Sequence, residues 1–130
     1  MESNTAQRSV LKMIIKEKKD FFKIKDIDDI SNSPPNSVVL FDFDLEMIKF
    51  CKDNSISFAV KIKNIKEAIF ANSFGAKYII VDKKNAKEIQ EIANEYLFDT
   101  KVLVKIVFDW EIEVFAKKGI DGVFLNNLSF

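Results

Sequence analysis

Several short apolar segments of this 130-residue sequence are followed or interrupted by acidic residues and lysines that can bind a ligand or act in catalysis. If the segments are parallel strands, these residues meet at one rim, because ligands bind at the carboxyl ends of parallel strands. Acids and lysines together can position an anion, or orient a lysine whose pKa is lowered for Schiff-base chemistry. We predict no metal site; the candidates are Lys61 and Asp82 for catalysis and Asp42, Asp44, Lys105 and Asn126 for ligand binding.

Lys61 and Lys105 interrupt two related apolar segments at the same position. A lysine that points into a covered sheet must be paired or lose its charge, and an uncharged amine is a nucleophile near neutral pH. The other interpretation is structural: both side chains reach the sheet edge, or pair with Asp42 and Asp82. The sequence leaves both interpretations open.

The composition excludes several kinds of chemistry. The chain has no histidine, so Ser-His and Cys-His dyads and imidazole metal ligands are absent. Its one cysteine, Cys51, lies in a periodic apolar segment and is expected to be a buried structural thiol. Lysine plus arginine and aspartate plus glutamate both number 20, which argues against nucleic acid and anionic membranes as partners. We expect a cytoplasmic protein, since no signal peptide or long apolar run is present.

Strand-like and helix-like segments alternate along the chain. Segments 38–41, 58–62, 78–81, 102–106 and 122–125 have the length and the β-branched or aromatic content of strands. Segments 44–53, 64–74, 83–98 and 109–118 have apolar residues at helical spacing, and a similar pattern over 9–19 predicts a leading helix within residues 1–20. Asp44, Asn64 and Asp109 suit helix N-caps, while Gly75 and Gly119 lie where helices commonly end.

An internal repeat supports a sheet of strand-helix units. The segments beginning at Ala59 and Leu103 match over residues 44 positions apart (59 and 103, 67 and 111, 75 and 119, 82 and 126). A looser third copy, in which residues 22–29 match residues 60–67, predicts a sixth strand over 21–25. We therefore predict a single α/β domain over 1–130, with strand-helix units over 21–130 and a mostly parallel sheet of five or six strands flanked by helices.

Two architectures fit these units. A complete TIM barrel typically needs about 250 residues, so the first is a truncated, TIM-barrel-like sheet. The second is an open doubly wound sheet of the flavodoxin or receiver type. Because a half-barrel leaves strand edges open, we also expect self-association, as a homodimer.

Two segments resemble the alanine-racemase-like barrels that bind pyridoxal phosphate, a family that includes ornithine and diaminopimelate decarboxylases. Phe58-Ala-Val-Lys61 is similar to the strand whose lysine holds the cofactor, and the resemblance implies Lys61 as the Schiff-base residue. Residues 82–106 resemble a later helix and strand of the same barrel, and that alignment places 58–62 at a middle strand instead. The chain lacks the family's ring-stacking histidine and its glycine-rich phosphate loop.

A weaker similarity is to receiver domains, in which Asp82 corresponds to the phosphoacceptor; Asn126 then replaces the expected lysine. Since each enzyme resemblance lacks essential groups, we expect a noncatalytic or degenerate barrel-like module that binds a small anionic ligand or a protein, without a cofactor. The alternative is an enzyme-like domain that binds pyridoxal phosphate or another phosphate ligand through Lys61 or Lys105.

Overall fold

Parallel strands and α-helices alternate along residues 13–16 and 20–125, the part of the chain described by a computed structural model. The strands are β1 (Met13–Lys16), β2 (Phe21–Lys23), β3 (Val38–Asp42), β4 (Phe58–Lys61), β5 (Tyr78–Val81), β6 (Lys101–Ile106) and β7 (Gly122–Leu125). The helices are α1 (Leu45–Asp53), α2 (Ile65–Ser73), α3 (Lys83–Glu95) and α4 (Glu111–Lys117), and a 3₁₀ helix spans Ile27–Asn32. The predicted sixth strand is therefore present, as β2.

The strands of this part of the chain form one all-parallel sheet in the order β1-β7-β6-β5-β4-β3-β2. Strands β2 to β7 lie side by side in chain order, without the reversal of order that marks a doubly wound sheet. The two edge strands, β1 and β2, are consecutive along the chain and four residues apart. The five Cα–Cα steps from Lys16 to Phe21 span at most about 18 Å. A flat sheet would separate its first and seventh strands by about 29 Å. The sheet is therefore strongly curled, as a half-barrel.

Among the described residues, the concave face of the curled sheet is filled by strand side chains only. We call these residues the inner layer; each of β2 to β7 contributes one, and they are Phe21, Leu40, Ala59, Ile80, Leu103 and Phe124. The Phe21 ring lies 5.6 Å from the rings of Tyr78 and Phe124, which belong to strands that β2 does not pair with. Such contacts require curvature, because a flat sheet keeps these strands apart.

The helices cover the other face. The larger apolar cluster joins alternate strand residues, such as Val60 and Val104, to helix residues such as Ile48, Ala71 and Ile89. No helix residue belongs to the inner layer. This one-sided arrangement follows from right-handed crossovers between strands that are neighbours both in the chain and in the sheet.

The leading helix predicted over 9–19 is wrong where the structure describes that segment. Met13–Lys16 is a strand, and Ile14 pairs with Val123 of β7. The β-branched pair Ile14 and Ile15 suits a strand, and pairing satisfies backbone groups at the β7 edge that a helix would leave unpaired. Residues 9–12 and 17–19 lie outside the described residues.

The helix N-termini agree with the sequence in two cases of three. The Asp44 side chain caps α1 and the Asn64 side chain caps α2. Asp109 does not cap α4, because Trp110 occupies the N-cap position and makes no side-chain cap bond. None of the helices in the described part of the chain is both long and apolar enough to cross a membrane.

The four α-helices of residues 20–125 all end in the same turn. The residue after the C-cap has a positive φ in each case: Ser55, Gly75, Leu97 and Gly119. The next residue donates its N–H to the carbonyl five positions earlier, as Ile56 does to Cys51 and Ile120 does to Phe115. This is the Schellman motif, which favours glycine at the left-handed position. Gly75 and Gly119 therefore end helices as predicted.

Candidate functional site

The predicted rim residues follow the inner layer at a fixed interval. Asp42, Lys61, Asp82 and Lys105 each lie two positions after an inner-layer residue, so the alternation of a strand places them towards the same concave side. Lys23 obeys the same rule after Phe21. Lys61 and Lys105 are half-buried, whereas Asp42 and Asp82 are exposed. Asn126, which follows Phe124 by two positions, lies outside the described residues.

A cleft of about 450 Å³ opens at the carboxyl ends of β2, β3 and β4. We call it the rim cleft. Its charged lining residues are Lys23, Lys25, Asp42, Asp44 and Lys61, and its apolar walls are formed by Ile24, Leu40, Phe41, Phe43 and Met47. Three of the predicted site residues, Asp42, Asp44 and Lys61, thus come together.

The charges of the rim cleft have different roles. Asp42 and Lys61 are paired in register across β3 and β4. Asp44 caps the N-terminus of α1, where its Oδ1 accepts hydrogen bonds from the Glu46 and Met47 amides at 3.0 and 3.2 Å. The Asp42 carboxylate and the Lys25 ammonium form no hydrogen bond or ion pair with any described residue. Three lysines against two aspartates give the cleft a net positive charge.

Asp82 and Lys105 lie apart from the rim cleft and do not line it. Asp82 occupies the N-cap position of α3 but makes no side-chain cap bond. Lys105 is paired in register with Phe124, on the far side of β5 from β4. The structure therefore divides the predicted rim into two groups.

The loops after three strands, β2, β4 and β6, are held by the same hydrogen bond from a backbone amide to a carboxylate. The Lys25 amide donates to Asp29 Oδ2 at 2.9 Å, the Lys63 amide to Glu67 Oε1 at 2.8 Å, and the Val107 amide to Glu111 Oε2 at 3.1 Å. In each case the acid lies four residues after the amide. These are the positions that the internal repeat matched, so the repeat reflects a shared loop geometry.

Glu111 is the most buried carboxylate of the three. Its Oε2 also accepts the Phe108 amide at 3.1 Å, and its Oε1 pairs with the Lys83 ammonium. Burial opposes ionisation of Glu111, but the hydrogen bonds from Lys83, Phe108 and Val107, together with the charge of Lys83, outweigh it and lower its pKa. Glu111 therefore ties the β6–α4 loop to the start of α3.

Cys51 is fully buried in the helix-facing core, and burial raises the pKa of its thiol to about 11. It is a structural thiol, as predicted. No group of three or more potential metal-ligating acids or cysteines comes together in residues 13–16 and 20–125.

Sequence reasoning missed three residues that shape this end of the molecule. Lys23 and Lys25 line the rim cleft, and the third copy of the repeat was the available signal for Lys23, since it matches Lys61 there. Glu111 matched Glu67 in the repeat, but no sequence pattern indicates its buried ion pair with Lys83.

Comparison with known proteins gives no assignment: no family model matches the chain, and no curated protein is significantly similar to it.

Proposed function

We propose that this chain is a noncatalytic binding module that takes a small anionic ligand in the rim cleft. The observation that carries the proposal is the convergence of Lys23, Lys25 and Lys61 on one cleft at the carboxyl ends of neighbouring parallel strands. In α/β sheets and barrels this end of the strands is where ligands bind.

The chemistry of the cleft favours phosphate or carboxylate. Lysines bind such groups as point charges, and none of the described residues that line the cleft is an arginine, which would allow bidentate recognition. The walls formed by Phe41, Phe43 and Met47 suit a ligand with a small apolar body. The Asp42 carboxylate disfavours ligands with a high negative charge, so we expect a mono- or dianion.

A noncatalytic role is supported by the groups the chain offers. It has no histidine for proton transfer, and the raised pKa of the buried Cys51 thiol makes it a poor nucleophile at neutral pH.

The proposal is tested by amide chemical-shift titration with inorganic phosphate, glycerol phosphate and succinate, against sodium chloride at matched ionic strength. Shifts should concentrate in the ends of β2, β3 and β4. Lys25→Gln should weaken binding about two- to five-fold, because it removes one of the three lysine charges of the cleft. It should keep the fold, because the hydrogen bond to Asp29 comes from the Lys25 backbone amide. Lys84→Gln, an exposed lysine outside the cleft, is the matched control and should change nothing. Equal effects of the two variants, or shifts scattered over the surface, would contradict the proposal.

The alternative function uses Lys61 as an amine nucleophile. The half-buried position of Lys61, beside Asp42 and with two further lysines in the same cleft, favours it over Lys105 for this role. Pyridoxal phosphate is the probe: its phosphate would contact Lys23 and Lys25, while the Lys61 ε-amine adds to its aldehyde and water leaves. Borohydride reduction followed by mass spectrometry should locate the adduct on Lys61. Lys61→Ala should abolish it and Lys105→Ala should retain it; random labelling of surface lysines would reject the alternative.

A cytoplasmic location and a homodimer remain predictions that accompany this proposal. Sedimentation at micromolar concentration tests the second, and a monomer alone would contradict it.

A further inference from the structure

Exposed apolar residues concentrate on the β6–α4 loop and the first turns of α4. Of the large hydrophobic side chains exposed in the described part of the chain, four lie within eight residues: Val107, Phe108, Trp110 and Val114. Phe108 is 52% exposed and Trp110 is 64% exposed. Their rings stack, with centroids 6.2 Å apart and planes 10° from parallel. We call these four residues the aromatic patch.

The aromatic patch is preformed. The buried Glu111 carboxylate accepts hydrogen bonds from the Val107 and Phe108 amides and pairs with Lys83. These contacts hold the backbone of the loop that carries both rings in one conformation. A patch that is ordered before binding does not lose the conformational entropy that a flexible loop would lose on binding. Exposed tryptophan in such a setting is typical of residues that dominate binding at interfaces.

A carboxylate accompanies the two stacked rings. Residues 107–113 contain three acids, Asp109, Glu111 and Glu113, and lysines flank this segment at positions 105, 117 and 118. Glu111 is neutralised by Lys83, and the exposed pair between Glu113 and Lys117, at 3.4 Å, is weak. Asp109 lies between the two stacked aromatics in sequence, is exposed, and forms no hydrogen bond or ion pair with any described residue through its carboxylate. An aromatic face beside a carboxylate attracts cations and repels phosphate backbones and anionic lipid.

From this complementarity we propose that the aromatic patch is a docking surface for a basic segment of another protein, in which arginine or lysine stacks on Phe108 or Trp110 and pairs with Asp109. Arginine is the better partner, because its planar guanidinium both stacks and hydrogen-bonds. The patch shares no residue with the rim cleft, so this surface is independent of the small-ligand proposal.

The experiment uses fluorescein-labelled, capped peptides of alternating glycine with arginine, lysine or glutamate, titrated with the full chain and followed by anisotropy. Trp110 is the only tryptophan, so its emission reports directly on the patch. We expect the arginine peptide to bind most tightly, the lysine peptide more weakly and the glutamate peptide not at all. Binding should weaken as salt rises.

Variants separate the patch from nonspecific attraction. Trp110→Ala should weaken binding by about ten-fold or more, and the isosteric Asp109→Asn by about three- to ten-fold. Tyr96→Ala removes an aromatic that is equally exposed, outside the patch, and should have no effect. Circular dichroism checks that each variant is folded. If Trp110→Ala does not fold, the isosteric Asp109→Asn still tests the proposal.

Three outcomes would overturn the proposal. The first is no binding of the arginine peptide up to about 1 mM. The second is equal binding to wild type, Trp110→Ala and Asp109→Asn. The third is evidence for a different occupant of the patch. A dimer that Trp110→Ala dissociates would identify a second copy of the chain. Binding to phosphatidylserine vesicles or to an oligonucleotide that Trp110→Ala abolishes would identify lipid or nucleic acid.

Discussion

Leu97 occupies the helix-end position that favours glycine. It has a φ of 55° and follows the C-cap of α3, in the place that Gly75 and Gly119 take after α2 and α4. Its side chain is 84% exposed, so it contributes little apolar burial. We therefore predict that Leu97→Gly stabilises the protein.

The magnitude follows from two opposing terms. Left-handed backbone costs a residue with a Cβ roughly 1–2 kcal/mol, and glycine relieves that cost. Glycine loses more backbone entropy on folding, roughly 0.5–1 kcal/mol. The net gain in unfolding free energy is about 0.5–1 kcal/mol. The converse change, Gly119→Ala, should destabilise by about 1 kcal/mol, since an added Cβ there meets no atom within 4 Å and the cost is conformational alone.

Urea unfolding, followed by Trp110 emission and by circular dichroism, measures these changes. Leu97→Gly should raise the urea midpoint without changing the slope of the transition, because the exposed surface hardly changes. Leu97→Ala is the control: it removes the leucine side chain but keeps a Cβ at the positive φ. If Leu97→Gly is no more stable than Leu97→Ala, the left-handed strain is not the cause and the reasoning is refuted.

Three further predictions concern the carboxylate beneath the aromatic patch, the concave core and the buried thiol. Because its folded pKa is lowered, Glu111 contributes stability that is present above its ordinary pKa of 4.5 and is lost as the pH falls through the lowered value. Glu111→Gln should therefore reduce the loss of unfolding free energy below about pH 4.5; an unchanged acid limb of the stability curve would contradict this. Leu103→Ala, in the fully buried inner layer, should cost about 2–5 kcal/mol in urea unfolding, and a cost below about 1 kcal/mol would mean that the concave face is loosely packed. Cys51 should react with iodoacetamide at neutral pH only at the rate of opening or unfolding, so immediate labelling of the native protein would show that the thiol is accessible.

The strand and helix pattern was predictable because burial is periodic here. β5 and β7 begin and end where the sequence placed them, and β3, β4 and β6 differ by one residue at an end. The exception is the N-terminal segment, where the spacing of apolar residues predicted a helix but Met13–Lys16 form a strand. Four residues such as Met13–Lys16 are too few to distinguish the two periods, and the pairing with β7 decides the outcome.

The inner layer shows what sequence alone could not provide. The strands carry buried apolar residues on both faces, so both faces of the sheet must be covered. Whether helices or the sheet itself cover the second face depends on curvature, which local patterns do not encode. The contact between Phe21 and Phe124, strands far apart in the order, is a consequence of that curvature.

The rim was predicted from strand ends, but register decides which of its residues meet. Asp42 lies level with Lys61, whereas Lys61 lies level with Ile80, so Asp82 is two residues further along. This two-residue offset in register separates Asp82 from the rim cleft, although β4 and β5 are neighbours. Asp42→Asn should therefore tighten binding of inorganic phosphate about two- to five-fold by removing a repulsive charge, while Asp82→Asn should leave the binding constant unchanged. Chemical-shift titration of both variants measures this, and an equal effect of the two would show that the offset does not isolate Asp82.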